Sequence, residues 1–273
     1  MPYLHVRGGD YFYDLAGHRP GHPDHPTIVF GHGYLMTHRL WDAQVAALAD
    51  RYRCLRFDWR GQGQSTVTRG GYDPWDLARD TLALTEALGI RRFHYVAHSM
   101  GGYVGYRMAL LAPERLTSMV LIGTSPGSTP PAQLREYTQL LWAVRLLGYG
   151  PVFPKVLPIL YGAAFLDAPA RAAERAAQVQ AIRSNDRTGI FRAGRGIFAR
   201  DDVSDRLGEI TIPTRLLVGA ADAPHPPADS EGPAAAMPHA DVIVLPNTGH
   251  TPPAERPTET TAHIAAFVDA QEP

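Results

Sequence analysis

A chain of 273 residues, 45% of them hydrophobic, is long enough for one large domain or for a core domain with an insertion. The formal net charge of −1 does not favour nucleic acid or another polyanion as a partner. Cys54 is the single cysteine, which excludes an intramolecular disulfide and a metal site built on several cysteines.

The first ten residues contain no basic segment followed by an apolar run, so a signal peptide is not expected. No stretch of the sequence approaches the ~18 uninterrupted apolar residues of a membrane span. We therefore expect a soluble, cytoplasmic protein.

The chain opens with loosely alternating residues at 3–15, interrupted by Gly8-Gly9-Asp10, and this pattern predicts a hairpin of two edge strands. A loop rich in proline and histidine follows, with His18, His22 and His25 close together. Loops broken by proline rarely fix the geometry of metal ligands, and no carboxylate or cysteine cluster joins these histidines. We expect a solvated loop, and we expect the protein to need no metal or other cofactor.

Strand and helix patterns then alternate. The sequence predicts strands at 27–30, 53–57, 93–97 and 118–122, and helices at 39–50, 74–89 and 103–111. This order is typical of an α/β protein with a mostly parallel sheet and helices on both faces. His32 follows the first of these strands, and we expect its ring to pack within its loop.

The alternation stops after residue 123, and residues 125–207 show helical periodicity without a convincing strand. Because this segment is too long for a loop, it predicts a helical cap inserted into a core domain formed by residues 1–124 and 208–273. The cap is rich in large apolar residues. We expect Trp142, Phe153, Tyr161 and Phe165, together with Leu35 of the core, to contribute to a substrate pocket.

The strand pattern resumes at 214–219 and again at 241–245, with helices predicted at 227–237 and 257–270. Asp222 follows the first of these strands and His250 follows the second.

The sequence 95–102 predicts a strand, a sharp turn and a helix, with Ser99 at the apex of the turn. Such a turn crowds the backbone, so the residues two before and two after the serine must be small, as Ala97 and Gly101 are. A serine that merely caps the helix is the alternative. The turn would raise the hydroxyl above the sheet and place the next backbone N–H near it.

Ser99, Asp222 and His250 each follow a predicted parallel strand, and the carboxyl ends of parallel strands share one edge of a sheet. A serine hydroxyl needs a base to take its proton, and an imidazole base needs an anion to fix its tautomer. Taken singly, each residue has an equally good structural interpretation: Asp222 as a capping residue at a strand end, and His250 as a histidine in a loop. Together, and in this order, the three residues indicate nucleophilic catalysis.

The chain resembles the α/β-hydrolase superfamily over nearly its whole length. The resemblance rests on the segments 31–34, 58–65, 97–102, 219–222 and 247–250, with Glu255-Arg256-Pro257 beyond the last. The most similar subgroup contains enol-lactonases, arylesterases and cofactor-free haloperoxidase-type esterases, from which the chain departs in having Ala97 where glycine is usual. The resemblance implies the following roles: Ser99 as nucleophile, His250 as base, Asp222 as acid, and the backbone N–H groups of Tyr34 and Met100 as the oxyanion hole.

The leading functional hypothesis is a hydrolase that cleaves a small, apolar carboxylic ester or lactone through an acyl-enzyme intermediate. Haloalkane dehalogenases and epoxide hydrolases resemble each other in having aspartate at the apex of this turn, which is called the nucleophile elbow. Ser99 at that position argues against both. One alternative is a non-hydrolytic enzyme with the same triad: a cofactor-free dioxygenase, a C–C bond hydrolase or a lyase. Met100 stands where the similar dioxygenases have histidine. The other alternative is a binding module, like the hormone receptors on this fold.

Overall fold

A computed structural model describes residues 2–17 and 26–272 of the chain. The loop with His18, His22 and His25 lies outside these described residues. None of the helices in the described ranges is long and apolar enough to cross a membrane.

Eight strands of the described residues form a single sheet in the order β1-β2-β4-β3-β5-β6-β7-β8. The strands are β1 (Tyr3–Val6), β2 (Gly9–Ala16), β3 (Thr27–Gly31), β4 (Arg53–Phe57), β5 (Phe93–His98), β6 (Leu116–Ile122), β7 (Thr214–Gly219) and β8 (Ala240–Leu245). β1 pairs with β2 and β2 with β4 in antiparallel fashion, while all pairs from β4 to β8 are parallel.

Helices lie between the strands and after β8. They are α1 (Asp42–Leu48), α2 (Pro74–Ala87), α3 (Met100–Leu111), α4 (Pro131–Leu147), α5 (Phe153–Leu160), α6 (Ala163–Leu166), α7 (Ala172–Arg183), α8 (Arg187–Phe198), α9 (Ala228–Ala236), α10 (Pro252–Glu255) and α11 (Pro257–Asp269). The segment between β6 and β7 contains α4 to α8 and, as predicted, no strand.

The sheet is buried on both faces, as the apolar runs of its central strands require. All six residues of β5 are buried. Apolar residues of α2, α3 and α9 join the core cluster on one face, and those of α1 and α11 join the cluster on the other. The predicted α/β architecture is confirmed, and it brings the carboxyl ends of β3 to β8 to one edge of the sheet.

Several details differ from the sequence-based expectations. β2 is not an edge strand, because it pairs with β4 on its far side. The first predicted helix begins as a 3₁₀ turn at His38–Trp41, where the Thr37 hydroxyl accepts the N–H of Arg39, and α1 is correspondingly short. α3 starts at Met100, directly after the serine, so the two glycines of the elbow lie inside the helix.

Candidate active site

Ser99 sits in a strained turn between β5 and α3. Its backbone has φ 49° and ψ −110°, a conformation that residues other than glycine rarely adopt. The turn is tight enough that a Cβ at Gly101 would lie 2.5 Å from the carbonyl oxygen of Gly31. This contact explains why a small residue is required two positions after the serine, as predicted.

The structure brings Ser99, His250 and Asp222 together in one hydrogen-bonded chain. His250 Nε2 lies 3.0 Å from Ser99 Oγ, and His250 Nδ1 lies 3.0 Å from both carboxylate oxygens of Asp222. All three residues are buried. Because the carboxylate can only accept, the Nδ1 side of the ring donates to it, which leaves Nε2 able to accept the serine proton.

The turn after β7 holds the Asp222 carboxylate in place. Asp222 Oδ1 also accepts the backbone N–H of His225 at 2.9 Å. The Asp222 N–H in turn donates to the Gly219 carbonyl at 3.1 Å. The proline-rich sequence after Asp222 therefore forms a closed turn with the carboxylate directed at His250.

Glu255 fixes the loop that carries His250. Its buried carboxylate accepts three backbone N–H groups: those of Gly249 at 2.8 Å, Thr251 at 2.9 Å and Gly162 at 3.0 Å. The first two belong to the residues on either side of His250, and the third belongs to the turn between α5 and α6. One side chain thus holds the histidine loop and connects it to the helices between β6 and β7.

The backbone N–H groups of Tyr34 and Met100 lie near Ser99 and have no acceptor in the described parts of the chain. Their surroundings are held together by the buried amide of Gln62. Gln62 Oε1 accepts the Leu35 N–H at 2.9 Å, and Gln62 Nε2 lies 3.5 Å from Met100 Sδ. Free donors next to a nucleophile can bind the negative oxygen of a tetrahedral intermediate.

Two further buried histidines hydrogen-bond to the backbone around the site: His32 in the loop after β3, and His98 at the carbonyl of His250. His32 Nε2 accepts the Trp59 N–H at 3.2 Å and Nδ1 donates to the Gly33 carbonyl at 2.8 Å, so its ring packs within the loop as expected. Burial lowers the pKa of His32 to about 4. His98 Nε2 donates to the His250 carbonyl at 2.7 Å, and burial holds the pKa of His98 well below its usual value. Both rings are therefore neutral at pH 7.

A pocket opens above Ser99 and His250, and its lining is mostly apolar with a few polar groups, as is usual for small-molecule sites. One side is apolar and is formed mainly by helices between β6 and β7. Its residues are Leu140, Leu141, Val144, Val156, Ile159, Leu160, Ile197 and Phe198.

The structure corrects most of the predicted pocket residues. Leu35 lines the pocket, but Trp142, Phe153, Tyr161 and Phe165 are not among the residues lining it in the described chain. Trp142 is 50% exposed and packs on Phe191, whereas the other three are buried in a core cluster. The helical phase of α4 turns Leu140 and Leu141 inward and Trp142 outward, and the sequence alone does not determine that phase.

The other side of the pocket is polar. Tyr103 lies one turn after Ser99 in α3, and its hydroxyl is 2.8 Å from His225 Nε2. The Arg200 guanidinium carbon lies 3.9 Å from the centre of the Tyr103 ring. Thr129, Gln133 and Tyr137 complete this side.

Sequence reasoning missed the supporting and polar-side residues. Gln62 and Glu255 stand inside motifs that the sequence displays, but their partners are distant in the chain and only the fold reveals them. Arg200 and His225 lie in segments without a motif. For the polar side, the sequence offered one clue: a histidine, His225, three residues after the candidate acid Asp222.

Histidine, cysteine, aspartate and glutamate side chains form no group of three or more that could hold a metal ion within residues 2–17 and 26–272.

Comparisons with known proteins agree with this geometry. A family model described as "alpha/beta hydrolase fold" matches residues 26–257. A protein of Pseudomonas savastanoi named "Putative carbamate hydrolase RutD" is 32% identical over 93% of this chain and 98% of its own length.

Two solved structures are similar in fold. The enol-lactonase from Burkholderia xenovorans has a TM-score of 0.91 at 26% identity, covering 98% of this chain and 100% of its own. A thermophilic esterase from Thermogutta terrifontis has a TM-score of 0.89 at 26% identity, covering 99% of this chain and 97% of its own.

Proposed function

The chain belongs to the α/β-hydrolase fold family, and from that premise we propose that it is a serine hydrolase that cleaves a carboxylic ester or lactone. The observation that carries this proposal is the continuous chain from Asp222 through His250 to Ser99, at 3.0 Å for each contact. Beside it, the backbone N–H groups of Tyr34 and Met100 have no acceptor among residues 2–17 and 26–272. A nucleophile, a base, an orienting anion and oxyanion donors together constitute the machinery of acyl transfer.

In the first half of the reaction, Ser99 Oγ attacks the carbonyl carbon of the substrate while His250 Nε2 takes the hydroxyl proton. Asp222 keeps the proton on His250 Nδ1 and stabilises the imidazolium that forms. The negative oxygen of the tetrahedral intermediate accepts the N–H groups of Tyr34 and Met100. His250 then returns its proton to the leaving alcohol, and the acyl group stays on Ser99.

In the second half, water attacks the acyl-enzyme with His250 again as the base. The second tetrahedral intermediate collapses, the acid leaves, and Ser99 recovers its proton. In a lactone the alcohol and the acid belong to one molecule, so the same two steps open the ring. In both halves, every proton transfer passes through His250.

We further propose that residues 125–207 act as a cap that excludes water from Ser99 and selects the substrate. The apolar side of the pocket, formed by residues such as Leu141 and Val144, suits an aliphatic acyl or alcohol group. Contacts from Asn185, which donates to the Leu35 carbonyl at 2.9 Å and accepts the Gly63 N–H at 2.7 Å, tie this segment to the loops beneath it.

The test is a panel of aryl esters, aliphatic esters, lactones and carbamates assayed on wild type and on Ser99→Ala. A carbamate is included because one relative is named a carbamate hydrolase, and its carbonyl would be attacked in the same way. We expect turnover of an ester or lactone by wild type and a fall of several orders of magnitude in Ser99→Ala. Oxygen uptake or C–C cleavage that survives Ser99→Ala would instead support a non-hydrolytic enzyme. Ligand binding without any turnover would support a binding module.

A further inference from the structure

Arg200 is a buried cation on the polar side of the pocket, and among the residues that the structure describes it has no anionic partner. It is only 6% exposed. Within residues 2–17 and 26–272, no carboxylate lies within 4.0 Å of its guanidinium nitrogens. The two acids that follow it are engaged elsewhere: Asp201 pairs with Arg107 at 2.7 Å, and Asp202 accepts the Ser204 N–H at 2.8 Å.

Neutral acceptors hold two of the three guanidinium nitrogens. Nε donates to the Gly127 carbonyl at 2.8 Å, and Nη1 donates to Thr129 Oγ1 at 2.6 Å and to the Ile197 carbonyl at 3.3 Å. For Nη2 no acceptor is found in the described residues. These contacts orient the planar group of a residue that lines the pocket, and the edge that carries Nη2 meets no acceptor from the described part of the chain.

The surroundings of Arg200 suit an anion. Its face packs on the Tyr103 ring, which restricts its motion. His225, whose Nε2 lies 2.8 Å from the Tyr103 hydroxyl, donates from Nδ1 to Asp229, and burial lowers its pKa, so it adds no competing charge at neutral pH. A buried arginine without a counter-ion is costly, whereas one that meets a carboxylate forms a strong charge-assisted hydrogen bond.

We propose that the Arg200 side of the pocket is a subsite for a carboxylate on the substrate. The inference rests on the proposed hydrolase function and refines it: the substrate is an ester or lactone that carries a free carboxylate. Tyr103 lies one helical turn after Ser99 and packs on Arg200, and all three line the same pocket, so we expect a short linker between the carboxylate and the scissile carbonyl. The apolar side of the pocket then receives the linker and the alcohol group.

The test uses matched pairs of methyl esters that differ only at the far end. One member is the monomethyl ester of a dicarboxylic acid, which ends in a free carboxylate. The other is the same methyl ester with a neutral amide in place of that carboxylate. Both have two to six methylenes between the ends. At the best linker length, wild type should hydrolyse the carboxylate ester with a kcat/KM roughly 10- to 100-fold above that of the amide. Equal kcat/KM for the two members at every length would overturn the subsite.

Variants distinguish a binding role from a structural one. Arg200→Gln should abolish the preference for the carboxylate ester, and Arg200→Lys should keep part of it. The exposed Arg195→Gln, in the last turn of the preceding helix α8, is the matched control and should keep the whole preference. A merely structural Arg200 would lower kcat/KM for both esters by the same factor, and that result would contradict the proposal.

Calorimetry on Ser99→Ala makes the test independent of turnover and of the folding of Arg200 variants. The carboxylate ester should bind roughly 10- to 100-fold more tightly than its amide partner. If wild type hydrolyses neither ester but Ser99→Ala still binds the carboxylate ester more tightly, the hydrolase proposal fails and the subsite stands. Hydrolysis by wild type with equal binding of both esters to Ser99→Ala would overturn the subsite alone.

Discussion

Replacing Glu255 with glutamine should separate the positioning of His250 from the chemistry of the triad. The carboxylate accepts three backbone N–H groups, at 2.8, 2.9 and 3.0 Å, and two of them flank His250. Glutamine has the same size, but one of its two terminal atoms is a donor. If the amide oxygen keeps the Gly249 and Gly162 bonds, the Thr251 N–H faces an NH₂ group and loses its acceptor.

The size of the effect follows from that loss. A hydrogen bond to a charged group contributes about 1.5–3 kcal/mol, and the buried N–H left without an acceptor adds to the cost. We expect Glu255→Gln to lower the free energy of unfolding by about 2–4 kcal/mol. Because a displacement of about 1 Å can reduce a rate about 100-fold, kcat should fall roughly 10- to 100-fold while KM changes little.

Urea unfolding and steady-state kinetics on the best ester of the panel measure both quantities, with the exposed Glu114→Gln as the matched control. A stability loss of this size with kcat unchanged would show that Glu255 supports the fold without positioning His250. Unchanged stability would refute the reasoning about the three hydrogen bonds themselves.

Three further predictions concern the loop that carries the Tyr34 and Leu35 N–H groups, the pocket, and the dependence of stability on pH. Gln62→Met removes the acceptor of the Leu35 N–H and should lower kcat roughly 10-fold or more with KM nearly constant; an unchanged kcat would exclude this positioning role. In a series of linear esters, kcat/KM should rise about fourfold per methylene (~0.8 kcal/mol each) until the pocket is full. Leu141→Ala should flatten that rise and the outward-facing Trp142→Ala should not; the reverse order would refute the pocket assignment. Because the pKa of His32 is lowered to about 4, its neutral ring stabilises the fold above pH 6.5, and this contribution is lost as the pH falls towards 4. The free energy of unfolding should therefore drop about 3 kcal/mol more in wild type than in His32→Gln over that range, as measured by urea unfolding, and parallel pH profiles would contradict this.

The sequence predicted the sheet and the meeting of Ser99, Asp222 and His250 because both depend on local patterns. Alternating strands and helices specify a parallel sheet, and parallel strands place their carboxyl ends at one edge. The small residues around Ser99 are likewise a local requirement of its turn.

The pocket was less predictable because it depends on how the helices between β6 and β7 lie against the sheet. An aromatic residue such as Trp142 satisfies helical periodicity equally well on the inner and the outer face. Arg200 meets Tyr103 only after the chain has folded, since the two residues are far apart in sequence. Glu255 was visible within a motif, but its role depends on Gly162, which no local pattern marks.

The most direct test of the account is covalent labelling of the proposed nucleophile. Incubation with a fluorophosphonate, which phosphonylates activated serines, followed by mass spectrometry of peptides, reports which residue reacts. We predict that one adduct per chain forms on Ser99, that esterase activity is lost in proportion, and that Ser99→Ala remains unlabelled. Loss of activity with the adduct on another residue, or full ester turnover by Ser99→Ala, would contradict the serine mechanism.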